Sequence, residues 1–183
     1  SLEGSEAIIP ALDAIINHGG EFDVNDIVIG MAHRGRLNVL TNIMKKPYAE
    51  VLRGFTAENY NEGIMFGDVK YHLGYNNTFD YKGRKISISL VPNPSHLETV
   101  SPIVEGIAKS KLENDHDFQY NQVLPILIHG DAAIAGQGVV YETIQFSKLE
   151  GYKTGGTIHI VINNQVGFTT NYTQARSSTY CTD

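Results

Sequence analysis

The sequence predicts an α/β domain, doubly wound, with a mainly parallel sheet and helices on both faces. The runs Ile126-Leu127-Ile128 and Thr157-Ile158-His159-Ile160-Val161-Ile162 are β-branched and nearly unbroken, as strands buried on both faces of a parallel sheet are. Between them lies the length of a crossover helix, roughly Val139 to Lys148, so the pair forms a βαβ unit. Four predicted strands also each end in a polar cluster: His33-Arg34, Ser95-His96, Asp131 and Asn164. Parallel strands set those ends along one edge, where open α/β sheets take their ligands.

The elements follow in order. A first helix, about Ser5 to His18, carries Ile8, Leu12, Ile15 and Ile16 on one face, with Pro10 either in its first turn or kinking it and Gly19-Gly20 as its stop. Ile27–Met31 is a buried strand, and His33-Arg34-Gly35-Arg36 leads into a helical pattern of Leu37, Leu40 and Met44. A basic turn at a helix start opposes the macrodipole unless an anion sits there, which points to phosphate or carboxylate; the alternative is a structural arginine paired with acidic loops. From Phe55 to Arg84 regularity fails over a length that loops reserve for function or disorder. Lys85–Val91 alternates like a strand, and Pro92-Asn93-Pro94 turns the chain into Ser95-His96-Leu97-Glu98. That is a capping-box spacing ahead of a helix face of Val100, Ile103, Val104 and Ile107. A charged, irregular connector, Glu113 to Gln122, returns to the central unit. Nothing is assigned beyond Thr170.

Size and charge narrow the function. A chain of 183 residues can bury about 70% of its unfolded surface, enough for one core, so residues 1–183 read as a single domain. A net charge of −6 argues against a nucleic-acid footprint, and Lys45-Lys46 is too short to reverse it. The lone cysteine, Cys181, cannot close an internal disulfide and has no motif around it to activate the thiol, which fits a reducing compartment. No window approaches roughly 18 apolar residues and no secretory signal is visible, so the sequons at Asn76 and Asn171 read as accidental. The abrupt start and finish suggest a piece of a longer polypeptide.

The central unit has a chemical reading. Magnesium takes octahedral oxygen ligands, usually one or two protein carboxylates completed by substrate phosphates and water. Asp131 supplies a hard anionic oxygen, Asn164 a neutral one, and the Val166 carbonyl a third. A diphosphate would bridge the ion to backbone N–H groups around Gly136-Gln137-Gly138. On spacing alone a second reading stands equally: two turns, one with a helix-capping Asp.

Gly130-Asp131 followed by Asn163-Asn164 resembles the diphosphate-binding signature of thiamine-diphosphate enzymes, with Ala132 where that signature usually has a third-position Gly. Longer strings narrow the resemblance: GMAHRGRLNVL at Gly30–Leu40, GDVKYHLG at Gly67–Gly74, NPSHLE at Asn93–Glu98, GDAAIAGQGVVYET at Gly130–Thr143 and NNQVGFTT at Asn163–Thr170. Together they are similar to the thiamine-dependent decarboxylating component of the 2-oxoglutarate dehydrogenase complex. The resemblance implies the diphosphate domain of the thiamine diphosphate-binding fold, with Mg2+ on Asp131, Asn164 and Val166. It assigns cofactor contacts to Arg34, Ser95, Leu97, Ala132 and Ala133, and catalytic work beside a 2-oxo acid to His33 and His72. It further implies 2-oxoglutarate as substrate, a lipoyl domain of the succinyltransferase component as acyl acceptor, a homodimer, and the bacterial cytoplasm or the mitochondrial matrix. The aminopyrimidine-binding domain is not recognisable in residues 1–183, so this stretch alone is expected to be inactive. A pyruvate dehydrogenase or transketolase type would share the Asp131 and Asn164 pair but not the histidine-bearing strings. A metallophosphoesterase would need an Asp-x-His at its first strand end. A non-catalytic metal- or phosphate-binding module is the remaining alternative.

Overall fold

The structure, a computed structural model, describes residues 4–53 and 72–183. Most of the irregular Phe55–Arg84 stretch, including Gly67–Tyr71 of the loop motif, lies outside those residues. At the centre is β1 (Asp26–Met31), buried at every position because its apolar residues face helices on both sides. It pairs in parallel with β3 (Arg84–Leu90) and with β4 (Val123–Gly130), and β4 pairs in parallel with β5 (Ile158–Ile162). An antiparallel β2 (Tyr75–Tyr81) completes the order β2-β3-β1-β4-β5. The fold is therefore α/β with a mostly parallel sheet flanked by helices, and the four predicted strands run parallel, with their carboxyl ends on one edge.

Side-chain alternation divides the core. Ile27, Ile29 and Met31 join Ile86, Ile88, Leu90, Ile126 and Ile128 against α1 (Ile8–Glu21) and α2 (Arg36–Asn42). Val28, Val123 and Leu127 meet α4 (Val100–Asn114) on the other face. The α4 stripe is Val100, Val104, Ala108 and Leu112, one residue per turn, while Ile103, assigned to it from sequence, is 54% exposed. A short α3 (Tyr48–Arg53) follows α2. The crossover comprises α5 (Asp131–Gly136), α6 (Gly138–Gln145) and a 3-10 turn at Phe146–Lys148. Beyond β5 the chain forms a small hairpin, β6 (Val166–Gly167) and β7 (Thr170–Asn171), then α7 (Tyr172–Ala175). Among the described residues no helix is long and apolar enough to cross a membrane.

Three expectations are corrected. Gly19-Gly20 do not stop α1, which runs on to Glu21; Gly20 is there because a Cβ would stand 2.5 Å from Cγ of Tyr81. Residues 75–81, read as irregular, form β2, and Lys82 and Gly83, both at positive φ, turn it into β3. Finally β5 is not buried on both faces: it is an outer strand of the sheet, with His159 exposed and its other residues only half-buried.

Two polar clusters pin the ends of β1. At its start, Asp26 takes Lys111 at 2.6 Å and His116 at 2.7 Å; burial opposes its charge, but these two partners outweigh that and hold the carboxyl below its usual range. Just past its end, fully buried Arg36 donates to the carbonyls of Met31 (3.0 Å), Leu73 (3.1 Å) and Val91 (2.7 Å). Burial pushes that guanidinium down to about 10, so it stays charged at neutral pH.

The Gly20–Tyr81 contact sets two effects against each other. Gly20→Ala gains about 1 kcal/mol of helix propensity, whereas forcing a methyl into a filled space costs about 1–3 kcal/mol. With the Tyr81 ring packed against the core, overlap should win, lowering the urea midpoint; an unchanged or raised midpoint would refute the packing account.

Candidate functional site

A cavity of about 460 Å3 opens at the carboxyl edge of the sheet. β1 delivers His33 and Arg34 to it, the loop before α4 delivers Leu97, the start of α5 delivers Asp131, Ala132 and Ala133, and the β6 hairpin delivers Val166. The other three residues proposed from sequence do not line it. Ser95 and Asn164 are exposed, and Asn164 accepts the Val166 N–H at 3.3 Å through its own side-chain oxygen. His72 is buried, and its carbonyl accepts the Asn93 N–H at 2.9 Å.

Asp131 is the electrostatic centre. Its carboxylate is 1% exposed. Oδ2 receives Arg176 at 3.1 Å, and Oδ1 is 3.8 Å from the Arg34 guanidinium with no hydrogen bond. A buried carboxylate oxygen left unbonded costs roughly 1–3 kcal/mol or more, so it marks a place for a ligand. A hard cation fits that demand. The basic turn also resolves into two roles: Arg34 faces the cavity, whereas Arg36 is the buried staple of the sheet edge.

His33 keeps one side to solvent, yet its charged form is disfavoured, first by burial, then by the like charges of Arg34 and His72. It is therefore neutral near pH 7 and able to exchange a proton at the cavity wall. Cys181 is pushed the other way, its thiol held up chiefly by burial.

Sequence reasoning missed a polar chain beside the cavity that runs from buried Glu98 and His129 out to the exposed His159. Glu98 Oε2 meets His129 Nδ1 at 2.7 Å, and His129 Nε2 meets His159 Nδ1 at 2.9 Å, with the two rings stacked at 10°. Glu98 does not close the capping box. It sits at φ +69, accepts from Ser101 at 3.1 Å, and leaves Thr99 as N-cap of α4. Such a backbone costs a non-glycine residue about 1–2 kcal/mol, and the His129 and Ser101 bonds hold it. The result ties Leu97, next to Glu98, to Asp131, two residues beyond His129. Only the pairing of two distant positions carries this, so local spacing could not reveal it.

Ala132 has a packing reason for departing from glycine. A Cβ on Gly167 would lie 2.9 Å from the Ala132 methyl. The methyl and the bare glycine are complementary, and they seat the β6 hairpin on α5.

Comparison with known proteins supplies the decisive observation. The model of the family described as dehydrogenase E1 component matches residues 1–183. The chain belongs to that family. All of this E1 chain is 50% identical, over 190 residues, to a multifunctional 2-oxoglutarate metabolism enzyme of Mycobacterium sp. (strain JLS), covering 15% of that protein. It is likewise 50% identical, over 184 residues, to the 2-oxoglutarate dehydrogenase E1 component of Cupriavidus necator, covering 19% of it. The chain thus spans less than a fifth of the length of these relatives.

His33 offers a direct check on the electrostatics of this cavity. Its NMR titration midpoint should fall below the ordinary 6.5, because the folded site disfavours the imidazolium. Arg34→Met should raise it only part of the way back, since burial is the larger cause. A midpoint at or above the ordinary value would refute the assignment.

Proposed function

We propose that this chain is the diphosphate-binding part of a 2-oxoglutarate dehydrogenase, which decarboxylates 2-oxoglutarate with thiamine diphosphate and magnesium. The observation that carries the reading is the unbonded, buried Oδ1 of Asp131 on the cavity wall. It occurs in a chain half identical to proteins named for 2-oxoglutarate chemistry. Those names also favour this reading over the pyruvate dehydrogenase or transketolase type.

In this reading Asp131, Asn164 and the Val166 carbonyl would hold Mg2+. Arg34 would bind the diphosphate, and Leu97, Ala132 and Ala133 would supply apolar contacts to the cofactor, with Ser95 a further contact. When bound, the cofactor supplies the electron sink that carbon dioxide release requires. The protein's part is to orient it and to manage protons and charge. His33, neutral at pH 7, holds or returns a proton at the imidazole nitrogen, and His72 is its partner in the work beside the 2-oxo acid. The product acyl group passes to a lipoyl domain of a succinyltransferase component. The full-length protein works as a homodimer in the bacterial cytoplasm, or in the mitochondrial matrix if the source is eukaryotic. Residues 1–183 form one domain, and the aminopyrimidine half of the cofactor is bound by another part of the polypeptide.

Asp131→Ala in the full-length protein tests this. Loss of even an outer-shell partner of a metal ligand costs about 10–100-fold, so loss of the anionic ligand should weaken magnesium-dependent thiamine diphosphate binding by at least that much in calorimetry, with the circular dichroism unchanged. Unaltered affinity would rule out the metal assignment.

A further inference from the structure

We propose that Arg176 is a built-in counter-ion that competes with the divalent cation for Asp131, so that cation binding expels it and releases the segment it holds. This rests on the reading of Asp131 as a cation ligand.

Three observations carry the inference. First, Arg176 and its partner are both out of solvent, at 10% and 1% side-chain exposure, so their 3.1 Å contact is not a screened surface pair. Second, the contact is single. A structural arginine typically grips a carboxylate through two parallel N–H bonds, but Arg176 offers Asp131 only one nitrogen. Its Nε donates to the Ser178 carbonyl at 3.2 Å and its other terminal nitrogen to the Thr179 carbonyl at 3.1 Å. Asp131 Oδ1 is left unbonded, whereas buried polar atoms in a purely structural pair are usually hydrogen-bonded. Third, the same guanidinium lies 5.4 Å from the centre of the Tyr172 ring, so one side chain joins α7, residues 178–179 and the first residue of α5.

The exchange follows from charge and geometry. A divalent ion on Oδ1 of Asp131 would share one carboxylate with the Arg176 guanidinium on Oδ2, only a carboxylate's width away. Two cations on one buried carboxylate, with Arg34 already 3.8 Å from Oδ1, repel strongly where water screens little. That repulsion drives Arg176 off Asp131, and with it goes the tie that joins residues 178–179 to the start of α5. The Ser178 hydroxyl bonds the Tyr180 carbonyl at 2.5 Å, so the loosening extends toward Cys181.

The test uses the full-length polypeptide and Mn2+ alone, with free ion followed by electron paramagnetic resonance; the relevant binding is the component lost in Asp131→Ala. Removing the competitor raises the fraction of protein competent to bind, so Arg176→Met should lower the Mn2+ dissociation constant by about tenfold. Arg176→Lys keeps the competing charge and should stay close to wild type. Alongside this, alkylation of Cys181, followed by mass spectrometry of its peptide, should be slow in wild type without Mn2+ and faster with it. In Arg176→Met it should be fast in both states. If wild type binds Mn2+ through Asp131 but Arg176→Met binds it equally or more weakly, Arg176 is structural and the proposal is wrong. Unaltered Cys181 reactivity on Mn2+ binding in wild type would overturn the release of the segment. If no Asp131-dependent Mn2+ binding is found, the reading of Asp131 as a cation ligand falls and the proposal with it.

Discussion

The Arg36 guanidinium is the constraint on which the cavity edge depends. Parallel strands run out of partners at their carboxyl ends, and carbonyls left there inside the protein would be costly. One fully buried arginine meets three of them at once, on β1, just past β3, and at Leu73 ahead of β2. A neutral side chain of that volume would fill the space without bonding the oxygens. Because the planar fork fixes its donors, the strand ends are held at set separations. His33 and Arg34 leave β1 in the turn between Met31 and Arg36, so their positions inherit that rigidity.

A second network fixes the other wall. Glu98 in its left-handed backbone, His129 at the end of β4 and His159 on β5 form a line of polar groups across two strands and the approach to α4. Buried networks of this kind specify geometry when their members are satisfied. Here the geometry specified is the distance between Leu97 and Asp131 across the cavity.

How much of this was legible in the sequence depended on whether the signal was local. The four parallel strands were, because β-branched runs such as Ile126-Leu127-Ile128 and Ile158–Ile162 have few other uses. Strand direction alone predicted the convergence of His33, Arg34 and Asp131, but it also predicted Ser95 and Asn164 there, which do not line the cavity, and Leu97 came only from the family resemblance. β2 was obscured because Asn76, Asn77 and Asp80 dilute its pattern, although Tyr75, Phe79 and Tyr81 keep the even spacing of one sheet face. The Gly19-Gly20 stop and the Ser95-to-Glu98 capping box were sound local signals overruled by distant partners, Tyr81 and His129. The same holds for Arg176: nothing in its neighbours along the chain indicates that it bonds Asp131, 45 positions away.

The contact of Ala132 with Gly167 reaches into how such a site can change. The two positions share one methyl's worth of space, so their substitutions are not independent. A chain with glycine at both accepts a methyl at either, but the second methyl is then barred. Sequence change through this pair must pass through a glycine–glycine intermediate or shift the hairpin bodily, carrying the Val166 carbonyl with it. An apolar contact that touches no ligand thereby sets the order in which substitutions beside the cavity can be accepted.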